Sequence, residues 1–361
     1  MNSAPWSDDH PVLDVLRRRR DKGHSPHAPA DDLKVGLAVE GGGIRGVISA
    51  AMLTALEDLD LTHAFDAVYS ASSGAINSAY FLNGETWYPL SIYYDDLATR
   101  KFVDFRRALR GQILDLDYAF DVVDRVKPLD YEGVIASPTT LNVAVTLVDE
   151  MRTEAVSDFT SRADLRSALV ASAWLPVAVR GTADFRGRRA VDGGVLTQHP
   201  YRLALDDGCT HVLSLSTRPI GPPNDKLVLS QRYAIRHLNR IRPGLGAGYA
   251  AAIGRYRHER RALQRWMSAP GDRAPFVLDL APLPWMPQVK RHEVDPGRIL
   301  AGARGAYEVM YCAIEGRDPA LIRSGRVRAV PQLTIVAKDG PADGRSAGRH
   351  PADGRSADGP A

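Results

Sequence analysis

The sequence predicts an α/β fold with a mostly parallel central sheet covered by helices on both faces. Three observations carry this. Apolar, partly β-branched runs at residues 35–39, 66–70, 141–148 and 211–216 alternate with stretches of helical character. The first run leads through Glu40 into Gly41, Gly42 and Gly43, after which Ile44, Ile48, Met52 and Leu56 fall four apart and start a helix. The second run ends in Ser70-Ala71-Ser72-Ser73-Gly74, a small-x-Ser-x-Gly turn that enters another helix. In such sheets functional residues collect at the carboxyl ends of the strands, where Glu40, Ser70 and Asp192 all fall.

The remaining elements follow in order. Residues 1–31 read as an N-terminal arm, a short apolar stretch and then Arg17 to Arg20, folded loosely on the body. Residues 32–337 form the main domain. Within it, 104–131 mixes Phe, Leu, Arg and Asp without a clean period and is expected to be helical and peripheral. A helix is expected over 164–173, ending before Leu175-Pro176, and Ala190-Val191 leads into Asp192-Gly193-Gly194. Residues 225–267 form a basic, helix-like stretch interrupted at Pro243-Gly244; Pro-rich sequence from 270 to 287 reads as loop. A last helix is expected over 298–315 and a last strand over 333–336. Residues 338–361 are a low-complexity tail in which 341–347 recur as 351–357, with nothing to bury beyond alanine.

Composition narrows the class. The 361 residues are 44% hydrophobic, ordinary for a globular protein, and the net charge of +3 gives no reason to expect nucleic acid. Cys209 and Cys312 make neither a disulfide framework nor a zinc set. With no apolar run of spanning length and no signal-peptide pattern at the start, the expected location is cytoplasmic, with peripheral membrane contact at most.

The glycine loop, strand then helix N-terminus, is suited to hold negative charge. As a dinucleotide fingerprint, Gly41-x-Gly43-x-x-Gly46 needs an acid at the end of the next strand, and that strand ends in Ser70. The turn at Ser72 resembles a nucleophile elbow, so the loop reads better as an oxyanion hole. Ser72 then needs a base. His199 and His292 follow Asp192 in the chain and are candidates, but neither has a persuasive local context. Asp192 could serve directly if burial raises its pKa, giving a Ser/Asp dyad.

These motifs together resemble the patatin-like phospholipases. The triple-glycine motif is met by Gly41-Gly42-Gly43-Ile44-Arg45-Gly46, the elbow by Ser70 to Gly74 and the Asp-Gly-Gly motif by Asp192-Gly193-Gly194. The stretch 168–177 also resembles the segment those proteins carry before the Asp. The resemblance implies a three-layer α/β/α fold and hydrolysis of acyl-ester lipids with no metal or cofactor. It makes Ser72 the nucleophile and Asp192 its partner. Gly42, Gly43, Ile44 and Arg45 then frame the oxyanion, and Gly41, Gly46, Ser70, Gly74, Gly193 and Gly194 shape the turns. Three positions depart from the family pattern: Glu40 for Asp, Ser70 for the first elbow Gly, and Gln198 for Asn. Besides a phospholipase or esterase-like hydrolase, a silent lipid-binding relative and a nucleotide-binding module stay open.

From Arg232 to Trp266 nine arginines face one acid, Glu259. Arg257, Arg261 and Arg265 recur every four residues and line one helix face. Either this face is simply solvated, or it rests on anionic lipid with Tyr256 and Trp266 at head-group level.

Overall fold

The computed structural model describes residues 4–222 and 227–320. The strand expected at 333–336 and the tail at 338–361 lie outside the described residues. Eight strands form one sheet: β1 Val35–Val39, β2 Ala67–Ser70, β3 Thr140–Leu147, β4 Arg152–Val156, β5 Ala183–Phe185, β6 Arg188–Asp192, β7 His211–Leu215 and β8 Phe276–Leu280. The α-helices are α1 Pro11–Asp21, α2 Val47–Asp58, α3 Ser73–Leu82, α4 Trp87–Leu90, α5 Leu116–Asp121, α6 Tyr131–Ala136, α7 Arg162–Ala173, α8 Tyr201–Asp206, α9 Leu229–Ile241, α10 Leu245–Ser268 and α11 Pro296–Ile314.

The order across the sheet is β5-β6-β3-β2-β1-β7-β8, with β4 also paired to β3. From β3 to β8 the neighbours are parallel; β4, β5 and β6 pair antiparallel. The expected mostly parallel sheet is therefore present. Both faces are covered. Val35, Leu37 and Val39 of β1 join the large core, whereas Ala38 points into a second core with Val212, Val277, Tyr201 of α8 and Leu263 of α10. This is the alternation that a strand buried on both faces requires.

The register at β3 positions the site. β3 pairs with β2 through residues 140–143 and with β6 through Val145–Asp192, Thr146–Val191 and Leu147–Ala190. β4 spans 143–147 of β3 and overlaps both sets. A strand has two edges, so β2 and β6 must share the edge opposite β4. They meet there with their carboxyl ends converging, Ser70 beside Val143 and Asp192 beside Val145. On the other side of β2, Val39 pairs with Ser70, which brings the glycine loop alongside the elbow.

Two expectations are corrected. The N-terminal arm is not loose: Val12, Leu13, Val15 and Leu16 of α1 are at most 2% exposed and belong to the main core. Arg19, one of the four consecutive arginines, is buried, paired to Asp31 at 2.7 Å and Asp66 at 2.9 Å, and it donates to the carbonyls of Ala64 and Leu33. A buried guanidinium is tolerated only with this degree of pairing. The Pro-rich stretch is not all loop: it contains β8, an edge strand whose Val277, Leu278, Asp279 and Leu280 are buried.

Asp279 lies in the layer beneath α10, where it accepts hydrogen bonds from Ser214 and Ser216. Burial pushes its pKa up to about 7 against the opposing effect of those hydroxyls. A raised carboxyl pKa means that the folded state holds the proton more tightly. Its stabilising contribution is full below the unfolded value near 4 and is lost as pH rises toward 7. Asp279→Asn, which cannot ionise, is expected to melt above wild type at pH 8, with the difference closing toward pH 4, as followed by thermal denaturation across that range.

Candidate active site

Ser72 sits between β2 and α3 with φ 57° and ψ −138°, backbone angles an L-residue adopts only under constraint. The constraint is visible on both sides. The Ser72 N–H donates to Ser172 Oγ at 2.9 Å, and Ser172 donates in turn to the Ala144 carbonyl of β3 at 2.8 Å. Below the turn, Gly41 and Gly74 allow two backbones to touch. A Cβ on Gly41 would lie 2.4 Å from the Ala71 carbonyl oxygen, and one on Gly74 would lie 2.6 Å from that of Val39.

The Ser72 hydroxyl lies close enough to the Asp192 carboxylate to favour its charged form. Asp192 is buried and also accepts from the Gly194 N–H at 2.7 Å. Burial raises its pKa, opposed by the Gly194 and Ser72 hydrogen bonds and by the charge of Arg291. Gln198 donates to the Gly194 carbonyl, so this glutamine does support the Asp192 loop. Ser70 is fully buried at the end of β2, its hydroxyl without a hydrogen-bond partner among the described residues, and the turn accommodates it.

The histidines are elsewhere. His199 is buried beneath α10, with Nε2 3.2 Å from Ser216 Oγ and Nδ1 accepting from the Tyr201 N–H. Burial lowers its pKa to about 4. The exposed His292 packs its ring edge-on against Phe105.

The backbone donors of the glycine loop differ in their engagement. The Gly42 N–H donates to Ser73 Oγ at 3.0 Å, and the Ile44 N–H donates to the Arg291 carbonyl at 3.1 Å. Of the three expected backbone donors, only the Gly43 N–H has no hydrogen-bond partner among the described residues, and Gly43 borders the cavity beside Ser72. The Arg45 side chain braces the loop by donating to Thr217 Oγ1 at 3.0 Å. Glu40 accepts from the Thr217 N–H and hydroxyl and lies 3.3 Å from Arg218. Burial opposes its ionisation, but Arg218 and Arg45 outweigh that and hold its pKa at about 2.

From Ser72 a cavity of about 90 Å³ runs beneath residues 86–123. Its walls include Ile76, Leu90, Leu97, Phe102, Phe120 and Val123. Part of the stretch expected to be peripheral, residues 104–123, thus belongs to the cavity's cover. Its apolar residues had no readable period because the backbone changes helix type repeatedly, with π-turns at Ile92–Asp96 and Val122–Val126 and a 3₁₀ turn at Phe105–Arg110. Sequence reasoning missed these wall residues and Arg291; Ser172 was included only within the 168–177 segment.

The basic stretch splits at Pro243-Gly244 into α9 and α10, as expected. Tyr256 is buried, however, and cannot sit at head-group level, while Trp266 is half-buried against the second core. Arg261 and Arg265 are exposed and Arg257 is half-buried. Among the described residues no helix is long and apolar enough to cross a membrane.

Residues 37–205 match the family model described as patatin-like phospholipase. Among solved structures, the chain is similar to a human group IVD cytosolic phospholipase A2 in complex with methyl γ-linolenyl fluorophosphonate, at 11% identity and a TM-score of 0.37. The match covers 85% of this chain and 64% of that one. No curated protein matches.

Ser172→Ala leaves the part-buried Ser72 N–H without its acceptor, which costs at most about 1–3 kcal/mol. The expected outcome is a lower melting temperature with a native circular dichroism spectrum, together with slower labelling of Ser72 by a fluorophosphonate.

Proposed function

We propose, on the premise of a patatin-like phospholipase domain at residues 37–205, that this chain is a serine lipid acyl hydrolase of phospholipase A, lysophospholipase or esterase-like type. The observation that carries the reading is the meeting of Ser72, on a strained turn bordering an apolar cavity, with the buried carboxylate of Asp192, whose pKa burial raises. Ser72 attacks the ester carbonyl as Asp192 takes its proton, and the acyl chain lies in the cavity beneath residues 86–123. The Gly43 N–H stabilises the oxyanion, a role for which a single donor is typically worth about 10²–10³ in rate. The leaving alcohol takes the proton back from Asp192, and water then releases the acyl group by the same route.

Labelling by a fluorophosphonate, read by mass spectrometry of the modified peptide, tests the assignment. Ser72→Ala is expected to remain folded and unlabelled, and labelling at another serine would overturn the nucleophile. Asp192→Asn keeps the shape and loses the base, which is worth about 10²–10⁴ in rate. Because Asp192 must be ionised to accept the proton, kcat/KM for a soluble aryl ester is expected to rise with pH through a limb above the ordinary carboxylate value. Replacing His199 and His292 should leave that limb in place.

A catalytically weak lipid-binding relative is the second reading. It is favoured by the engagement of Gly42 and Ile44 N–H within the fold. The nucleotide reading has less support, since β2 ends in Ser70, where a ribose-binding acid would be required. Peripheral contact with anionic lipid through Arg257, Arg261 and Arg265 would run along the α10 flank. Co-sedimentation with and without phosphatidylserine tests it.

A further inference from the structure

We propose that Arg291 binds the phosphate of a lipid head group at the cavity mouth, on a rim made by residues 284–295 and Phe105 that faces the lipid surface. This rests on the hydrolase reading above.

The placement comes from the backbone. The Arg291 carbonyl accepts the Ile44 N–H at 3.1 Å, and a Cβ on Gly43 would lie 2.8 Å from that oxygen. Gly43 and Ser72 both border the cavity, so Arg291 is held over the entrance. The residue is exposed, and its charge opposes, without outweighing, the burial that raises the Asp192 pKa; burial of the guanidinium and the neighbouring charge of Arg218 lower its own pKa.

Charge accounting singles it out. Near the glycine loop, Arg45 donates through Nε to Thr217 and keeps its buried Nη2, without a hydrogen-bond partner among the described residues, 3.9 Å from Glu40, while Arg218 is committed to Glu40 and to the face of Tyr256. Among the described residues the Arg291 guanidinium forms no ion pair and donates no hydrogen bond. It is thus a cation at the entrance able to take an anion from outside, and its planar fork matches a phosphate.

The surroundings suit a lipid rather than a soluble phosphate. Phe105 is 54% exposed, Val294 47% and Trp285 40%, the first on the segment that carries Phe102 and the others on the segment that carries Arg291. The rings of Phe105 and His292 join those segments at 5.0 Å between centroids. Phe102 and Leu114, on the same segment as Phe105, line the cavity itself. An acyl chain entering past Ser72 would leave its head group at this rim, where Lys290 adds a second exposed cation. A phosphate-bearing lipid would gain contacts there that a neutral glyceride lacks.

The test measures binding without turnover, in the full chain carrying Ser72→Ala, by calorimetry. The ligands are a monomeric lysophosphatidylcholine, a monoacylglycerol with the same acyl chain, and inorganic phosphate. Adding Arg291→Gln is expected to weaken the lysophospholipid by about tenfold or more, as for loss of a charge-assisted hydrogen bond, and the monoacylglycerol by less than about twofold. Arg291→Lys is expected to fall between. Equal weakening of both lipids, or no change in either, would overturn the proposal. Inorganic phosphate binding as tightly as the lysophospholipid would overturn it too, by pointing to a general anion site. Failure of the hydrolase reading would show separately, as absence of fluorophosphonate labelling at Ser72.

Discussion

The site depends on one edge of β3. β2 and β6 pair along that edge end to end and run toward each other, so their carboxyl termini converge over Val143 to Val145. Ser72 and Asp192 are 120 residues apart in sequence, and this pairing brings them together without either needing a long side chain. β1, on the far side of β2, delivers the glycine loop to the same point. Three chain segments then compete for one small volume. Glycines at 41 and 74 relieve the crowding between the first two, and Gly193, where a Cβ would lie 2.3 Å from the Ala144 carbonyl, relieves it for the third.

Such a site costs stability, and its surroundings offset that cost. Ser72 is held in an unfavourable backbone conformation, and Asp192 is buried where its charged form is disfavoured. The conformation is over-determined by Ser172, which ties the elbow to β3 through two hydrogen bonds. The glycine loop is braced from beneath by Glu40, Thr217 and Arg45 and from above by the Arg291 carbonyl. The bracing engages donors that a bare reading of the loop leaves free.

What could be read from sequence was what depends on short-range chemistry. The runs at 35–39 and 211–216 are buried strands because apolar residues occupy both faces. Gly41 to Gly46, Ser70 to Gly74 and Asp192 to Gly194 advertise tight turns, and the structure brings all three together. What could not be read depends on distant contacts or broken periods. β8 is a strand because β7 offers it a buried edge, which its proline-flanked sequence does not announce. The arginines at 17 to 20 resemble a solvated run until Asp31 and Asp66 are placed around Arg19. The cavity cover alternates α, 3₁₀ and π turns, so its apolar residues share one wall without sharing a period. Nothing near Arg291 in sequence points to the glycine loop 250 residues away.

The separation of the two faces bears on why an aspartate, rather than a histidine, is the proposed base. His199 belongs to a buried polar cluster with Ser214, Ser216 and Asp279 on the α10 side of the sheet, while the cavity opens on the side of α2 and α3. In a triad, a third side chain orients the base and fixes its tautomer. A carboxylate has no tautomer to fix, and one firm donor can hold its orientation. The Gly194 N–H supplies it, at 2.7 Å, from the turn that ends β6. Gln198 steadies that turn by holding the Gly194 carbonyl. Backbone geometry thus takes over the work of a third residue, which is why a two-residue arrangement can be sufficient here and why the glycines following Asp192 matter as much to its placement as the acid itself.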